Sequence, residues 1–262
     1  MLMPQFENSC RHFKPITDPN YKGPFKILEY DKDMSVSPNQ AQLQYFMSEM
    51  NIKRRQVVCE LNGTTGIICQ AGAMQWMYGD IKATTGLKGA GDLMKKAFRG
   101  AVTKESAIKP EYVGNGYLVL EPTYKYIFIE DVGMWDQSGG LVVEDGMFLA
   151  TENTVQNSVV ARRNLSSAAL GNEGLFNCCL KGNGYAVLES NVPEEELIDI
   201  KLENETLKID GNNAICWSAS LDFTVEPVSK NIIGSAATGE GLVNVYRGTG
   251  YVRMSPVART QF

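Results

Sequence analysis

The chain carries three copies of one glycine-rich element. Each copy is a Gly-x-Gly-Tyr sequence followed by apolar residues, and the copies are Gly114–Glu121, Gly182–Glu189 and the more diverged Gly248–Met254. The second glycines of successive copies are 68 residues (116 to 184) and 66 residues (184 to 250) apart. Self-similarity at a nearly fixed period indicates supersecondary units that repeat along the chain and stack on one another. The repeat therefore favours a fold built from three similar units.

Two further elements recur in the same order in each unit. One surrounds a glycine, as Ala71–Met74, Asp145–Phe148 and Asp210–Asn213, and the other begins with Glu105, Glu173 or Glu240. We therefore divide the chain into an N-terminal segment, residues 1–55, which holds one strand and a short helix, and a triplicated domain, residues 56–256. The units span about 56–132, 133–203 and 204–256.

The units have the pattern of β-strands. Between Ile215 and Val225 apolar and polar residues alternate, which is typical of one half-buried strand because successive side chains point to opposite faces. The Gly-x-Gly elements lie between apolar runs, where glycine permits the positive φ of a tight hairpin turn. We predict an all-β fold, with structural turns at six glycines: Gly114, Gly116, Gly182, Gly184, Gly248 and Gly250.

Helix is scarce. Ser37–Gln40 resembles a capping box with proline at the first helical position. Leu43, Phe46 and Met50 follow at helical spacing, so an amphipathic helix is predicted over residues 38–50. The first unit also has an insertion, a glycine-rich loop at 86–91 followed by residues 92–98, for which we expect a flexible loop and one short helix.

Composition limits the function. The 25 Lys and Arg against 30 Asp and Glu give a net charge of −5, so no general attraction to nucleic acid or anionic membrane is expected. No apolar run has the length of a membrane span or a signal peptide, which predicts a cytoplasmic protein without a transmembrane segment. The lone His12 excludes a multi-histidine metal site and argues against Ser-His or Cys-His catalysis. We therefore predict no catalytic residue, metal or cofactor.

The cysteines and the charge runs are given structural interpretations. Six cysteines without CxxC pairs are interpreted as buried reduced thiols, and the vicinal Cys178 and Cys179, on opposite faces of a strand, as one buried and one exposed thiol. Lys53–Arg55 is interpreted as solvated or salt-bridged surface, and Glu194–Glu196 as an acidic loop. A basic ring is incomplete, because Val113 stands where the later units have Lys181 and Arg247.

The repeated glutamates are the candidate binding site. On a pseudo-threefold axis, Glu105, Glu173 and Glu240 occupy equivalent places and can converge on a cation or a partner. The alternative is that each accepts backbone hydrogen bonds at a strand entry and recurs because the unit recurs. We favour this structural interpretation, since purely structural networks also contain such carboxylates.

The motifs resemble the mitochondrial-biogenesis family named from the altered inheritance of mitochondria, which occurs in bacteria and fungi. The resemblance covers about residues 55–256 and is carried by Ala71–Met74, Asp145–Ala150, Gly239–Leu242 and Gly248–Gly250. In the first unit Glu105-Ser106-Ala107 departs from the Glu-Gly-Leu element of the other two.

The resemblance implies a fold like that of the tryptophan RNA-binding attenuation protein. In this chain it implies three tandem short double-stranded β-helix units around a pseudo-threefold axis, assembled into ring-like trimers. The family has no established enzymatic activity, and its fungal members are tied to the organisation of the mitochondrial inner membrane. Likeness of fold does not by itself transfer a function.

We therefore expect a non-enzymatic structural or scaffolding protein that forms a homo-oligomer, most simply a trimer, and binds an unidentified protein partner. One alternative is an RNA-binding ring, against which the acidic balance argues. The other is a small-molecule-binding protein, against which the lack of hydrolase and nucleotide motifs argues. Open strand edges favour ring closure, although the N-terminal segment offers a way to cover an edge within one chain.

Overall fold

The computed structural model describes residues 13–84, 109–161, 176–211, 213–228 and 242–257. Its strands are β1 Phe13–Pro15, β2 Phe25–Tyr30, β3 Arg55–Asn62, β4 Ile67–Cys69, β5 Met74–Thr84, β6 Glu111–Leu120, β7 Tyr126–Asp131, β8 Leu141–Val143, β9 Phe148–Glu152, β10 Gln156–Ala161, β11 Phe176–Lys181, β12 Tyr185–Ser190, β13 Ile198–Asp210, β14 Ala214–Ser218, β15 Asp222–Pro227 and β16 Leu242–Met254. The described part has one α-helix, α1 Ala41–Glu49, and short 3-10 helices at Pro38–Gln40, Val132–Ser138 and Glu194–Glu196.

The strands form two sheets, and within each sheet every pair of neighbouring strands is antiparallel. The nine-stranded sheet has the order β1-β2-β3-β6-β4-β9-β12-β7, with β5 on β6. The seven-stranded sheet has the order β10-β11-β8-β14-β16-β13, with β15 on β16. The all-β prediction is confirmed.

The hairpin-turn prediction for the Gly-x-Gly elements is wrong. Gly114 and Gly116 lie inside β6, and Gly248 and Gly250 lie inside β16. The segment 182–184 joins β11 to β12, which belong to different sheets and do not pair with each other. At each place the chain exchanges one neighbouring strand for another: β6 pairs with β4 and then β3, and β16 with β15 and then β14.

Glycine is needed at these points for close approach as well as for positive φ. At Gly116, with φ of 144°, an added Cβ would lie 1.9 Å from the carbonyl oxygen of Tyr78 in β5. At Gly114, with φ of 134°, it would lie 2.0 Å from the carbonyl oxygen of Asp80. A positive φ suits a bend between two strand partners as well as a turn, so the local sequence does not separate them.

The predicted single strand from Ile215 to Val225 is two strands. β14 ends at Ser218, a turn follows in which Leu221 N–H donates to the Ser218 carbonyl at 3.1 Å, and β15 begins at Asp222. Both strands lie along β16, on different halves of it. The alternation continues across the turn, and for that reason the sequence pattern suggested one strand.

The buried apolar side chains form three large clusters that follow the chain order. The first is built mainly from β2–β6, the second from β7–β9 with β11, β12 and β14, and the third from β13, β14 and β16 with neighbours. Cys178 lies in the second cluster and Cys179 in the third, and both are buried. The prediction that one of them is exposed is therefore wrong, because both faces of β11 are covered.

The N-terminal segment joins the nine-stranded sheet. β2 pairs with β3 from Phe25 opposite Cys59 to Glu29 opposite Arg55, so it covers one edge of β3. Helix α1 forms where predicted, but its apolar side, Leu43, Phe46 and Met50, is more than half exposed. Its amphipathic pattern therefore does not mark a face packed on the core.

Candidate functional site

The nine-stranded sheet curls so that its terminal strand β7 approaches β2. Between them lies a cavity of about 700 Å³, which we call the β2–β7 groove. Its walls are β2, β7 and the connection from β1 to β2, and Glu194 and Glu195 lie at its rim. Volumes of this size are typical of ligand-binding clefts.

A buried ion pair forms part of the groove wall. Arg55 is 2% exposed and Glu29 is 6% exposed, and they face each other across β3 and β2. Arg55 Nε and Nη2 donate to Glu29 Oε2 at 3.1 and 2.8 Å. Charged groups are tolerated in such a place only when paired and hydrogen-bonded.

The remaining polar groups of this pair are also occupied. Arg55 Nη2 donates to the Asn51 carbonyl at 3.1 Å, and Lys53 Nζ donates to Glu29 Oε1 at 3.4 Å. The ring of Tyr126 stacks on the guanidinium with 4.3 Å between its centroid and Arg55 Cζ. The positive charge of Arg55 is therefore neutralised within the protein, and Arg55 is not the salt-bridged surface residue that the sequence suggested.

The rim of the groove is acidic. Asp18, Glu194 and Glu195 line it together with Glu29, against Arg55 as the basic lining residue. Partial burial raises the pKa of Glu194, while Arg253, 4.0 Å away, opposes that rise. Arg253 is itself held by Glu130 and by Asp199, to which its Nε donates at 2.7 Å. The predicted acidic loop at Glu194–Glu196 is a short 3-10 helix with exposed residues, of which Glu194 and Glu195 line the groove.

Tyr21 packs at the opposite side of the groove. Its ring meets that of Tyr185 edge-on with centroids 4.7 Å apart, and its hydroxyl accepts from the Phe25 N–H at 3.3 Å. Burial raises the pKa of this phenol above its ordinary value. Tyr21 is therefore a neutral, fixed part of the wall.

The candidate glutamates Glu105, Glu173 and Glu240 lie outside the described residues, as do His12 and the insertion at 86–98. Their proposed convergence stays a prediction. The structure points instead to groove residues that sequence reasoning missed, chiefly Arg55 and Glu29. The available signal was the position of Arg55 two residues before the apolar run Val57–Cys59 of a buried strand.

The described cysteines are free thiols in buried positions: Cys59, Cys69, Cys178, Cys179 and Cys216. Burial raises the pKa of the Cys69 thiol to about 12 and that of Cys59 well above its ordinary value. The thiols of Cys59 and Cys69 are therefore protonated at neutral pH and weakly nucleophilic. The prediction of buried reduced thiols is confirmed for these five residues.

Two long strands present a second kind of surface. Within the described part of the chain, β5 pairs on one side only, with β6, and the second half of β13 pairs on one side only, with β16. On β5 the large side chains Met77 and Tyr78 are 44% and 62% exposed. Such edges carry unpaired backbone groups that accept a further strand. None of the described helices has the length and apolar character required to cross a lipid bilayer.

Comparison with known proteins places the chain in a family. Residues 49–257 match the family described as mitochondrial biogenesis AIM24. An uncharacterized protein of Streptococcus pyogenes serotype M6 is 25% identical over 246 residues, covering 91% of this chain and 94% of its own. A crystal structure of a Streptococcus pyogenes protein has a similar fold, with a TM-score of 0.58, 22% identity and 94% coverage of both chains. The matched region extends over most of the sequence, and the chain therefore belongs to the mitochondrial biogenesis AIM24 family.

Proposed function

We propose that this protein is a non-enzymatic scaffold that assembles into a closed, ring-like homo-oligomer, most simply a trimer, and binds a protein partner. The observation that carries the proposal is the pair of open strands, β5 and the second half of β13. The match to the family does not assign an activity to the chain, so the proposal rests on these two open strands.

In this proposal the chain consists of three related units, each a short double-stranded β-helix with a fold like that of the attenuation protein. The pairing supports this division, since the last strand of each unit lies between its first and middle strands. β6 lies between β3–β4 and β5, and β16 lies between β13 and β14–β15. β11 and β12 lie between β7–β8 and β9–β10 in the same way. Each of the three apolar clusters is built mainly from one unit, with additions from a neighbouring unit.

Neighbouring units are joined by one rule. The later part of one unit's first strand pairs with the beginning of the next unit's middle strand, as β4 with β9 and β8 with β14. Applied once more, the rule pairs the second half of β13 with the start of β5. These strands are open within the described chain, so we propose that they pair between chains, head to tail.

The β4–β9 junction predicts the register of this contact, and the β8–β14 junction, where Cys216 lies opposite Val143, is offset from it by one residue. Ile68, four residues before Gly72, lies opposite Thr151, five residues after Gly146. In the same way, Leu207, four residues before Gly211, would lie opposite Met77, five residues after Gly72. Thr206 would then lie opposite Tyr78. The contact would cover the exposed side chains of β5, and closure into a ring would remove both edges.

The groove chemistry supports a non-enzymatic role. Arg55 and Glu29 hold each other in a buried pair, and the described thiols are buried, so these groups serve structure. The net charge of −5 supports a protein partner over RNA, since phosphate neutralisation dominates non-specific RNA affinity. The cytoplasmic location stays a prediction.

Sedimentation equilibrium tests the assembly. We expect the wild-type protein to show three times the chain mass of 28.9 kDa. The double variant Met77→Lys/Tyr78→Lys should dissociate, because assembly would bury two charged side chains opposite the uncharged Leu207 and Thr206. Met134→Lys is the matched control, since Met134 is exposed and lies far from both open strands in the sequence. A wild-type mass of one chain at every concentration would refute the ring.

A further inference from the structure

The edge of β7, and not one of its faces, lines the β2–β7 groove. β7 pairs with β12 and is the terminal strand of its sheet in the described part of the chain. Four consecutive residues, Tyr126 to Ile129, line the cavity. Side chains of a strand alternate between its faces, so four in sequence border one cavity only where the strand's edge faces it.

The unpaired backbone groups on this edge can be identified from the register. Val132 N–H donates to the Gly184 carbonyl at 2.9 Å, and the pairing continues without a shift to Ser190 opposite Tyr126. In an antiparallel ladder, the backbone groups of alternate residues bond to the same neighbouring strand. The N–H and C=O groups of Glu130, Phe128 and Tyr126 therefore point toward β12, as those of Val132 do. Ile127 and Ile129 therefore direct their N–H and C=O groups into the groove.

No strand pairs with this side of β7 in the described part of the chain, although Ile127 is only 7% exposed. Buried backbone donors and acceptors are nearly always satisfied in folded proteins. The opposite wall does not supply the bonds. The edge of β2 is closed by its own connection, since Ile16 N–H donates to the Ile27 carbonyl and Ile27 N–H to Thr17 Oγ1.

The molecule already contains the arrangement that would satisfy such an edge. β3 corresponds to β7 in the proposed three-unit division, and β3 carries β2 as an added antiparallel strand. The corresponding edge of β7 carries no strand in the described chain. The groove is thus the unoccupied counterpart of the position filled by β2.

The charge of the groove selects the occupant. Arg55 is neutralised by Glu29, whereas Asp18, Glu194 and Glu195 leave the rim acidic. We propose that the β2–β7 groove binds an extended, basic polypeptide segment of a partner, which adds to the edge of β7 as a strand and places Lys or Arg side chains against Glu194 and Glu195. This names the partner class within the proposed scaffold function and rests on that function.

Fluorescence anisotropy with a labelled peptide of alternating lysine and valine tests the proposal. We expect salt-sensitive binding, weakened about tenfold when alternate backbone nitrogens are methylated, because the charge is kept while strand hydrogen bonds are lost. Glu194→Gln/Glu195→Gln is expected to weaken binding to a similar degree. Glu49→Gln/Glu121→Gln, which neutralises two exposed carboxylates outside the groove, should leave it unchanged.

The inference would be overturned by no binding of the parent peptide, by equal binding of the methylated peptide, or by equal loss with both glutamine pairs. Competition by free spermidine as strongly as by unlabelled peptide would also overturn it, since it would show a site for cations alone. Sedimentation of the same samples separates the proposals. A trimer that binds no peptide refutes only this inference, and a single chain that binds it refutes only the ring.

Discussion

The strand junctions within the chain and the open strands β5 and β13 use the same kind of edge in different ways. At the β4–β9 junction Ile67, Cys69 and Ala150 are fully buried, and at the β8–β14 junction Val143 and Cys216 are too. On β5, by contrast, Met77 and Tyr78 stand largely in solvent. The difference teaches that the paired edges at these junctions are part of the core, whereas β5 exposes large side chains that a further pairing would bury.

The largest expected effect concerns two arginine–glutamate pairs, one in a closed pairing and one at an edge. Arg55→Met leaves the Glu29 carboxylate buried without its partner, and we expect it to lower the free energy of unfolding by about 3–5 kcal/mol. Arg247→Met removes the more exposed pair with Glu226 and should cost up to about 1 kcal/mol. Urea denaturation at one protein concentration measures both, and equal costs would contradict the distinction.

A second prediction compares side chains at a closed junction and an open strand. Ile67→Ala removes a fully buried side chain beside β9 and should cost about 2–5 kcal/mol of unfolding free energy. Met77→Ala on β5 should change the stability of the single chain by less than about 0.5 kcal/mol. The second variant is measured in the Tyr78→Lys background to keep the chains apart. A large cost for Met77→Ala there would show that β5 is covered within the chain.

A third prediction compares two glycines of the first unit. Gly116→Ala places a Cβ against the Tyr78 carbonyl oxygen and should lower the free energy of unfolding by about 2 kcal/mol or more. Gly72→Ala, at φ of 81° with no atom within 4 Å of the added Cβ, adds only backbone strain of about 1 kcal/mol. Thermal unfolding monitored by circular dichroism gives both values. If Gly72→Ala were the more damaging change, the close approach of β5 and β6 would not govern the bend.

The smallest expected effect is a pH dependence at the β15–β16 edge. Hydrogen bonds from Arg247 and Thr224 lower the pKa of Glu226 to about 2 from 4.5. A lowered pKa stabilises the fold above pH 4.5, and this contribution is lost as the pH falls through 2. Glu226→Gln should therefore be slightly less stable than wild type at pH 6, by less than about 1 kcal/mol after solvent screening, and equal to it near pH 2. A difference that grows on acidification would contradict the assignment.

Much of the fold was predictable from the sequence, because strands and repeats leave periodic signals. The alternation between Ile215 and Val225 marked the region of β14 and β15, and the repeated glycines marked three places where the backbone takes an unusual conformation. What the glycines do there was not predictable. Positive φ and the absence of a side chain suit both a turn and a bend, and only the position of β5 beside Gly116 decides between them.

The groove was less predictable, because it is formed by residues distant in sequence. The acidic run Glu194–Glu196 was visible, but the burial of Arg55 depends on Glu29, which precedes it by 26 positions on another strand. Likewise, helical spacing of Leu43, Phe46 and Met50 predicted α1 but not the direction of its apolar side. A periodic pattern shows that a face is apolar, and tertiary contacts determine whether it is covered.

Cross-linking across the proposed contact tests most directly whether β13 of one chain completes the junction with β5 of the next. Thr206 and Tyr78 are both exposed and are expected to lie opposite each other between chains. Oxidation of the double variant Thr206→Cys/Tyr78→Cys should yield a covalently closed species of three chains on a denaturing gel, while Met134→Cys/Tyr78→Cys should not. Bands of a single chain only, with or without an internal cross-link, would contradict head-to-tail pairing.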